Sequence, residues 1–425
     1  MKSSPETSAS PMSPTNSRNP HRQLRFELFS VEALNGLSTA YYFNYLFFYL
    51  QKHFGFGNRD NLLIAGLYGL IYMFFAGYAG PFGQKRGHFF ALRIGFAGMM
   101  VTMVLGALAP EIWSYGHQTL VAEIVIMIFW TMALCFTWPT LQALLSQRQS
   151  SAQASRTAGI YNMVWAGTSA LAYLTSGFLL DNLGGEILFW IPAGIHLIQL
   201  GMLPRLQRLS AAAETVPLPD EKKFISATSE LNPRPISKAR KFVHLALVAN
   251  PFAYVAIYGV LPVIPVLAEH FQLTPAYAGL VCSIWFWTRL VAFIWFWLWP
   301  GWHYRFSWLL GAFIAMIASF IAILLSTTIL MLVAGQIIFG LTIGLIYYSS
   351  LFYAMDAGES KGKRGGFHEA AIGLGIFIGP MAGVGALRLF PGHPQADTWG
   401  IALLLLVGLA VFCAIQFRGR AQKHI

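Results

Sequence analysis

Charge is what this chain has least of. Lys, Arg, Asp and Glu together make up 11% of its 425 residues, and only 17 residues are acidic. A soluble domain carries about 25% charged residues, so a water-facing globular surface of this size is excluded. Cysteine is scarce too: Cys135, Cys282 and Cys413 all fall inside apolar runs. Three scattered thiols offer neither a disulfide framework nor a metal site. The sequence has no GxxxxGK(S/T), no CxxC and no HExxH. Nucleotide and metal chemistry therefore find no support, and neither a cofactor nor a metal is expected. The first 25 residues, rich in Ser, Pro and Asn, lack the apolar core of a signal peptide and read as a disordered tail.

What is abundant is apolar surface: 56% of residues are hydrophobic and the mean hydropathy is +0.56. About 20 apolar helical residues cross a bilayer core of about 30 Å. Twelve such runs are legible, at 26–51, 61–82, 89–109, 117–146, 156–181, 186–203, 242–269, 275–300, 305–326, 328–355, 366–390 and 397–417. With twelve spans, both termini and the even-numbered junctions share one side, and 24 of the 28 Lys and Arg fall there. The opposite side has Lys52, Arg59 and Arg388, and Arg289 lies inside span eight. Excess Lys and Arg mark the cytoplasmic side, so both termini are expected to be cytoplasmic, in an inner or plasma membrane. The positive charge is thus a topology signal and a lipid contact rather than a nucleic-acid footprint.

One long charged segment, RLQRLSAAAETVPLPDEKKFISATSELNPRPISKARK, divides the chain into two sets of six spans. The expected organisation is a tail at 1–25, a bundle at 26–203, a linker at 204–241, a second bundle at 242–418 and a short tail at 419–425. The halves echo each other: Leu141 matches Leu351 at an offset of 210, and Gly159 falls opposite Gly366 at 207, which sets Tyr161 and Asn162 at the places of His368 and Glu369. Duplicated halves around a midplane site are a common transporter plan. Six plus six helices with cytoplasmic termini and a long central loop resemble the major facilitator superfamily over nearly the whole chain after the tail. The loop GPFGQKRGHFFALRIG is similar to that family's signature between spans two and three, with Gly80, Lys85, Arg86 and Gly87 in place and Gln84 where an Asp is usual. The resemblance implies an all-α polytopic membrane protein of 12 transmembrane helices in two pseudo-symmetric bundles. It also implies that spans 1, 4, 7 and 10 line a central cavity, with 2, 5, 8 and 11 beside them. Span eleven has Gly375-x-x-x-Gly379-Pro380-x-x-Gly383, but span five (AGTSALAYLTSG) lacks the proline of the family's drug/proton antiporters.

Ionisable residues inside a bilayer are costly and usually face a bundle interior or a watery cavity. Arg289 sits fourteen residues into span eight, with Trp285 one turn before and Phe293 one turn after on the same face. It either meets a solute or pairs with an acid from another helix. Glu32 and Glu123, each near one end of its span, are candidate proton carriers, against the plainer reading of a shallow or paired carboxylate. His368 and Glu369, just after KGKRGG, read as a gate or charge pair, and Gly80, Lys85, Arg86 and Gly87 would set the gating balance at the other cytoplasmic loop. His196 reads as a hydrogen-bonded structural histidine. Polar and ring groups at Tyr42, Asn44, Trp138, Asn162, Trp165, Asn250, Tyr254 and Tyr348 suit a hydroxylated or anionic solute, though each alone is as well explained by packing. Trp295, Trp297, Trp299 and Trp302 read as interface anchors.

The expected function is secondary active transport of a small organic solute, sugar-like or anionic, by proton- or Na+-coupled uptake. The expected partners are that solute and membrane lipid, with no nucleic acid, and the working unit is a monomer. The alternatives are drug or metabolite efflux, a membrane-embedded transferase and a transport-dead sensor.

Overall fold

The structure is a computed structural model and describes residues 20–147, 151–215, 236–356 and 363–421. The described residues form helices and turns without a strand. The first half comprises α1 (Pro20–Phe54), α2 (Asn58–Arg86), α3 (His88–Trp113), α4 (His117–Leu134), α5 (Trp138–Ser146), α6 (Ser151–Leu183) and α7 (Ile187–Thr215). The second comprises α8 (Ile236–Val260), a 3-10 turn at Leu261–Val263, α9 (Ile264–His270), α10 (Pro275–Cys282), α11 (Ile284–Leu298), a second 3-10 turn at Pro300–Trp302, α12 (Phe306–Leu324), α13 (Ile329–Asp356), α14 (Lys363–Leu389) and α15 (Ala396–Ala421). Helix α1 begins inside the segment read as a tail, and α7 extends to Thr215, inside the segment read as a linker.

Among the described residues, eleven segments are long and apolar enough by composition to cross a membrane. Helix α1, 35 residues long, is the twelfth; Glu32, Asn35 and Asn44 lower its hydropathy, and it buries every residue from Tyr42 to Leu50. It packs against α6 and α7 at the heart of its half. A helix that holds polar groups where lipid cannot see them needs no uniformly apolar sequence.

Three spans are broken internally, which their continuous hydropathy conceals. Span four splits into α4 and α5 at Cys135–Thr137, ahead of Pro139. Span seven splits at Pro262, and span eight at Ser283. Freed backbone groups in lipid must find other partners. They do: Asn61 of α2 donates to the Pro262 carbonyl at 3.0 Å, and Ser283 donates to that of Leu280 at 3.0 Å. The span-four break is also tied down by side chains, Asn35 donating to Thr137 Oγ1 at 3.1 Å and Thr137 donating to the Leu134 carbonyl at 2.8 Å.

The halves meet along two seams, α2 against α14 and α6 against α10 and α11. With lipid on all sides, close van der Waals approach drives such packing, and glycine permits it. A Cβ added to Gly69 would lie 2.5 Å from the Phe377 nitrogen, and one on Gly373 would lie 2.5 Å from Met73 Cα. At the end opposite the chain termini, hydrogen bonds tie the halves together. Gln51 donates to Glu269 at 2.8 Å, Asn58 to Asp397 at 3.2 Å, and the Ala276 amide to Asp181 at 2.9 Å. The Asn61–Pro262 bond joins them. That end is closed.

Gly177 of α6 sits so close to the Pro275 carbonyl that any Cβ there would overlap it. Gly177→Ala is therefore expected to keep this end from closing. A short thiol cross-linker spanning cysteines placed at Gln51 and Glu269 should react readily in the native background and several-fold more slowly once Gly177→Ala is added.

Candidate functional site

A cavity of about 70 Å³ lies between the halves, lined from α1 by Gly36, Thr39, Ala40, Phe43 and Asn44. Tyr68, Trp138, Trp165 and Ser169 complete the side belonging to the first half. Tyr254, Ile257, Tyr258, Leu261, Trp285, Phe286 and Arg289 form the other side. The α1 residues fall near the middle of that helix, so the cavity is at mid-membrane depth. Half of the sixteen lining residues are aromatic, and Arg289 is the one charge among them.

Arg289 is 3% exposed. Helix α11 is pinned against α13 where Gly340 lets the Trp285 carbonyl and Thr288 come into backbone contact, which fixes the height of Arg289. The guanidinium carbon stands 4.4 Å from the Trp165 ring centroid, 5.0 Å from Trp285 and 5.1 Å from Phe286. Ring faces attract a cation most where water is excluded. Trp165 comes from the other half, so this contact bridges the two. Tyr254, Tyr258 and Tyr347 lie within electrostatic range. Among the described residues no carboxylate lies within 4.0 Å of Arg289, and its Nε and Nη2 have no hydrogen-bond partner. Of the two roles open from the sequence, the paired-acid role is not the one seen. The one-turn neighbour Trp285 does stack on it, but Phe293 turns away to Tyr347 and Tyr348.

Of the buried acids, Glu123 and Glu369 are bonded to phenols instead. Glu32, wholly buried, has Tyr161 and Trp138 beside its carboxylate, both short of hydrogen-bonding geometry. Glu123 accepts from Tyr49 at 3.4 Å inside the first half, away from the cavity. Glu369 of α14 accepts from Tyr72 of α2 at 2.7 Å, a bond across the seam between halves. The His368 side chain lies outside the described residues.

Six of the ten expected binding residues line the cavity: Arg289, Trp285, Asn44, Trp138, Trp165 and Tyr254. The other four lie elsewhere. Tyr42 is packed against Trp130 and Phe189, with ring centroids at 4.7 and 5.7 Å, inside the first half. Tyr348 packs on Phe293 and Trp302. Asn162 and Asn250 are buried off the cavity, and both amide atoms of Asn250 are unpartnered. Trp302 is not an interface anchor: it is fully buried and donates to the Phe296 carbonyl at 3.0 Å, whereas Trp295, Trp297 and Trp299 are exposed. His196 pairs with Gln199 at 2.8 Å, which donates onward to Val31. At the α2–α3 junction Gly80 borders open space, Lys85 and Arg86 are exposed, and Gly87 takes φ of +99°, making a one-residue turn.

The cavity wall also includes Phe43, Tyr68, Tyr258 and Phe286. Phe286 and Tyr258 carried a usable signal, one helical turn from Arg289 and Tyr254; Tyr68 carried none.

The sequence profile of the Major Facilitator Superfamily matches residues 28–380. The chain belongs to this superfamily. It is accordingly an integral membrane transporter of small solutes rather than an enzyme. No curated protein sequence matches it significantly. Among solved structures it is similar to a mutant form of the nucleoside transporter NupG, with a TM-score of 0.66, 13% identity, and coverage of 92% of this chain and 99% of that one. It is similar also to the human organic anion transporter MFSD10 (TETRAN), with a TM-score of 0.65, 14% identity and the same coverage of each chain. At such identities the shared property is the fold.

Tyr72→Phe removes the donor to Glu369 and leaves a buried acceptor unpaired, a loss of about 1–3 kcal/mol. It should lower the thermal midpoint of the purified transporter. Adding Glu369→Leu, which removes the acceptor as well, should recover most of that loss.

Proposed function

We propose that the transporter is a secondary active carrier of small organic anions, moved by alternating access of the two halves around the central cavity. The observation that carries this reading is Arg289: a buried cation with unpartnered donors, no carboxylate counter-ion among the described residues, and a place on the cavity wall. A fixed charge at this depth is costly without a partner, and an anionic solute supplies one. The exporter alternative, handling drug-like cations, is disfavoured by the same residue, which repels them. One structural relative is an organic anion transporter by name and the other a nucleoside transporter; the first suits a cationic site.

The direction proposed is proton-coupled uptake, with Glu32 as the proton carrier. Its support is burial without a cation and a place beside Trp138, which lines the cavity. The basic bias of their side supports cytoplasmic termini. The monomer suffices, since each half completes the other's cavity wall.

Purified protein screened for thermal stabilisation by sugars, sugar acids, carboxylates, amino acids and drug-like cations should respond to anionic members. A charge-assisted hydrogen bond is worth about 1.5–3 kcal/mol, so Arg289→Gln should weaken that response at least about tenfold. Stabilisation by cations, or by anions equally well in the variant, would remove Arg289 from the site. In proteoliposomes Glu32→Gln should retain solute exchange but lose accumulation driven by an imposed pH gradient. Unchanged accumulation would move the proton elsewhere.

A further inference from the structure

The donors left free around the cavity say more about the solute than its sign. Buried polar atoms without a partner, on residues that line the cavity, are Thr39 Oγ1, Trp285 Nε1, and Nε and Nη2 of Arg289, with Trp138 Nε1 set aside because it lies beside Glu32. All four can donate and three can only donate. A hydroxyl-rich solute would need acceptors in similar number, so the set fits an acceptor-rich group. Nε and Nη2 are the two nitrogens along one edge of the guanidinium, the fork that takes both oxygens of a single carboxylate. The rings of Trp165, Trp285 and Phe286 lie 4.4, 5.0 and 5.1 Å from the guanidinium carbon.

The remainder of the wall is equally specific. Elsewhere on the wall, Phe43 and Tyr68 meet at 4.1 Å between ring centroids, and Tyr68 and Tyr258 stack at 5.7 Å with planes 15° apart. Aromatic rings prefer such offset or edge contacts with another ring over contacts with an aliphatic group of the same bulk. The cavity is about 70 Å³, where an engineered apolar cavity of ~150 Å³ holds benzene. A ring therefore enters only as the halves part. Trp165 belongs to the first half and Arg289 to the second, so parting them separates the indole from the cation. A ring of the solute can then enter the space this opens beside the indole.

Resting on the organic-anion reading above, we infer that the solute is an aromatic carboxylate, its carboxylate on the Nε–Nη2 fork of Arg289 and its ring among Phe43, Tyr68, Tyr258 and Trp165. The test compares benzoate and phenylacetate with cyclohexanecarboxylate and cyclohexylacetate, which have the same charge and similar size without the π face. Binding is read by isothermal calorimetry on the purified full-length protein, wild type and Trp165→Leu. Aromatic pairing gives an expected preference of about fivefold for the aromatic member of each pair, shrinking towards parity in Trp165→Leu. Equal affinity within each pair in the wild type, lost in Arg289→Gln, would overturn the aromatic assignment and leave the anion reading standing. Binding of neither pair, or binding indifferent to Arg289→Gln, would overturn both. Should Trp165→Leu not purify as a single species, the wild-type ranking alone decides.

Discussion

A permanent cation held at the centre of a membrane protein without a carboxylate beside it is the constraint around which this structure is arranged. Placing Arg289 there costs a few kcal/mol or more, and part of that is offset by the ring faces of Trp165, Trp285 and Phe286. The rings cover the guanidinium without satisfying its edges, because a π face accepts charge but takes few N–H bonds. The span must also be held rigidly enough that the arginine cannot swing out to a headgroup. Backbone contact between α11 and α13 at Gly340 does that.

The same constraint explains where the acids are. Glu369 is bonded to Tyr72, Glu123 to Tyr49, and Glu32 sits with Tyr161 and Trp138. Phenols are neutral donors, so at Glu369 and Glu123 they make a buried carboxylate tolerable in either protonation state. An arginine would lock it ionised. The two seams follow a related logic. Glycine-permitted backbone contact holds α2 to α14 by dispersion, which survives sliding, while the closed end relies on a few side-chain bonds that can break singly.

Much of this was legible in the sequence, because a bilayer imposes few solutions. Hydropathy located the spans, and a lone arginine fourteen residues into span eight had to face the interior. Depth along a helix can be read directly; the neighbour a side chain meets cannot. Tyr42 and Tyr45 share a stretch with Asn44, yet only Asn44 reaches the cavity, because α1 turns Tyr42 to Trp130 and Tyr45 to Tyr173 within its own half. Tyr68 was invisible for the converse reason: nothing local separates it from a packing residue, and only the approach of α8 makes it cavity wall. The breaks in spans four and seven had a signal in Pro139, Pro262 and Pro265, but an unbroken apolar run masks it. Trp302 looked like its exposed neighbours because a tryptophan-rich stretch at a span end has the same composition whether it faces lipid or, as here, Phe352 and Tyr353.

The separation of Arg289 from the carboxylates has a consequence for coupling on the proposed reading. Were Glu32 or Glu369 bonded to Arg289, a carboxylate solute would have to displace it, and binding would compete with a partner at very high effective concentration. Kept apart, the solute itself becomes the missing counter-ion, and the acids respond through the field instead. Tyr347 lies within electrostatic range of Arg289, Glu32 and Glu369 alike, and its ring stacks on Trp165 at 5.8 Å. In a medium of low effective dielectric such charges interact over several ångströms without contact. On the proposed reading, a solute anion at Arg289 and a proton at Glu32 that cross in the same cycle move as a neutral pair, which a membrane-embedded site carries at far lower cost than either charge alone.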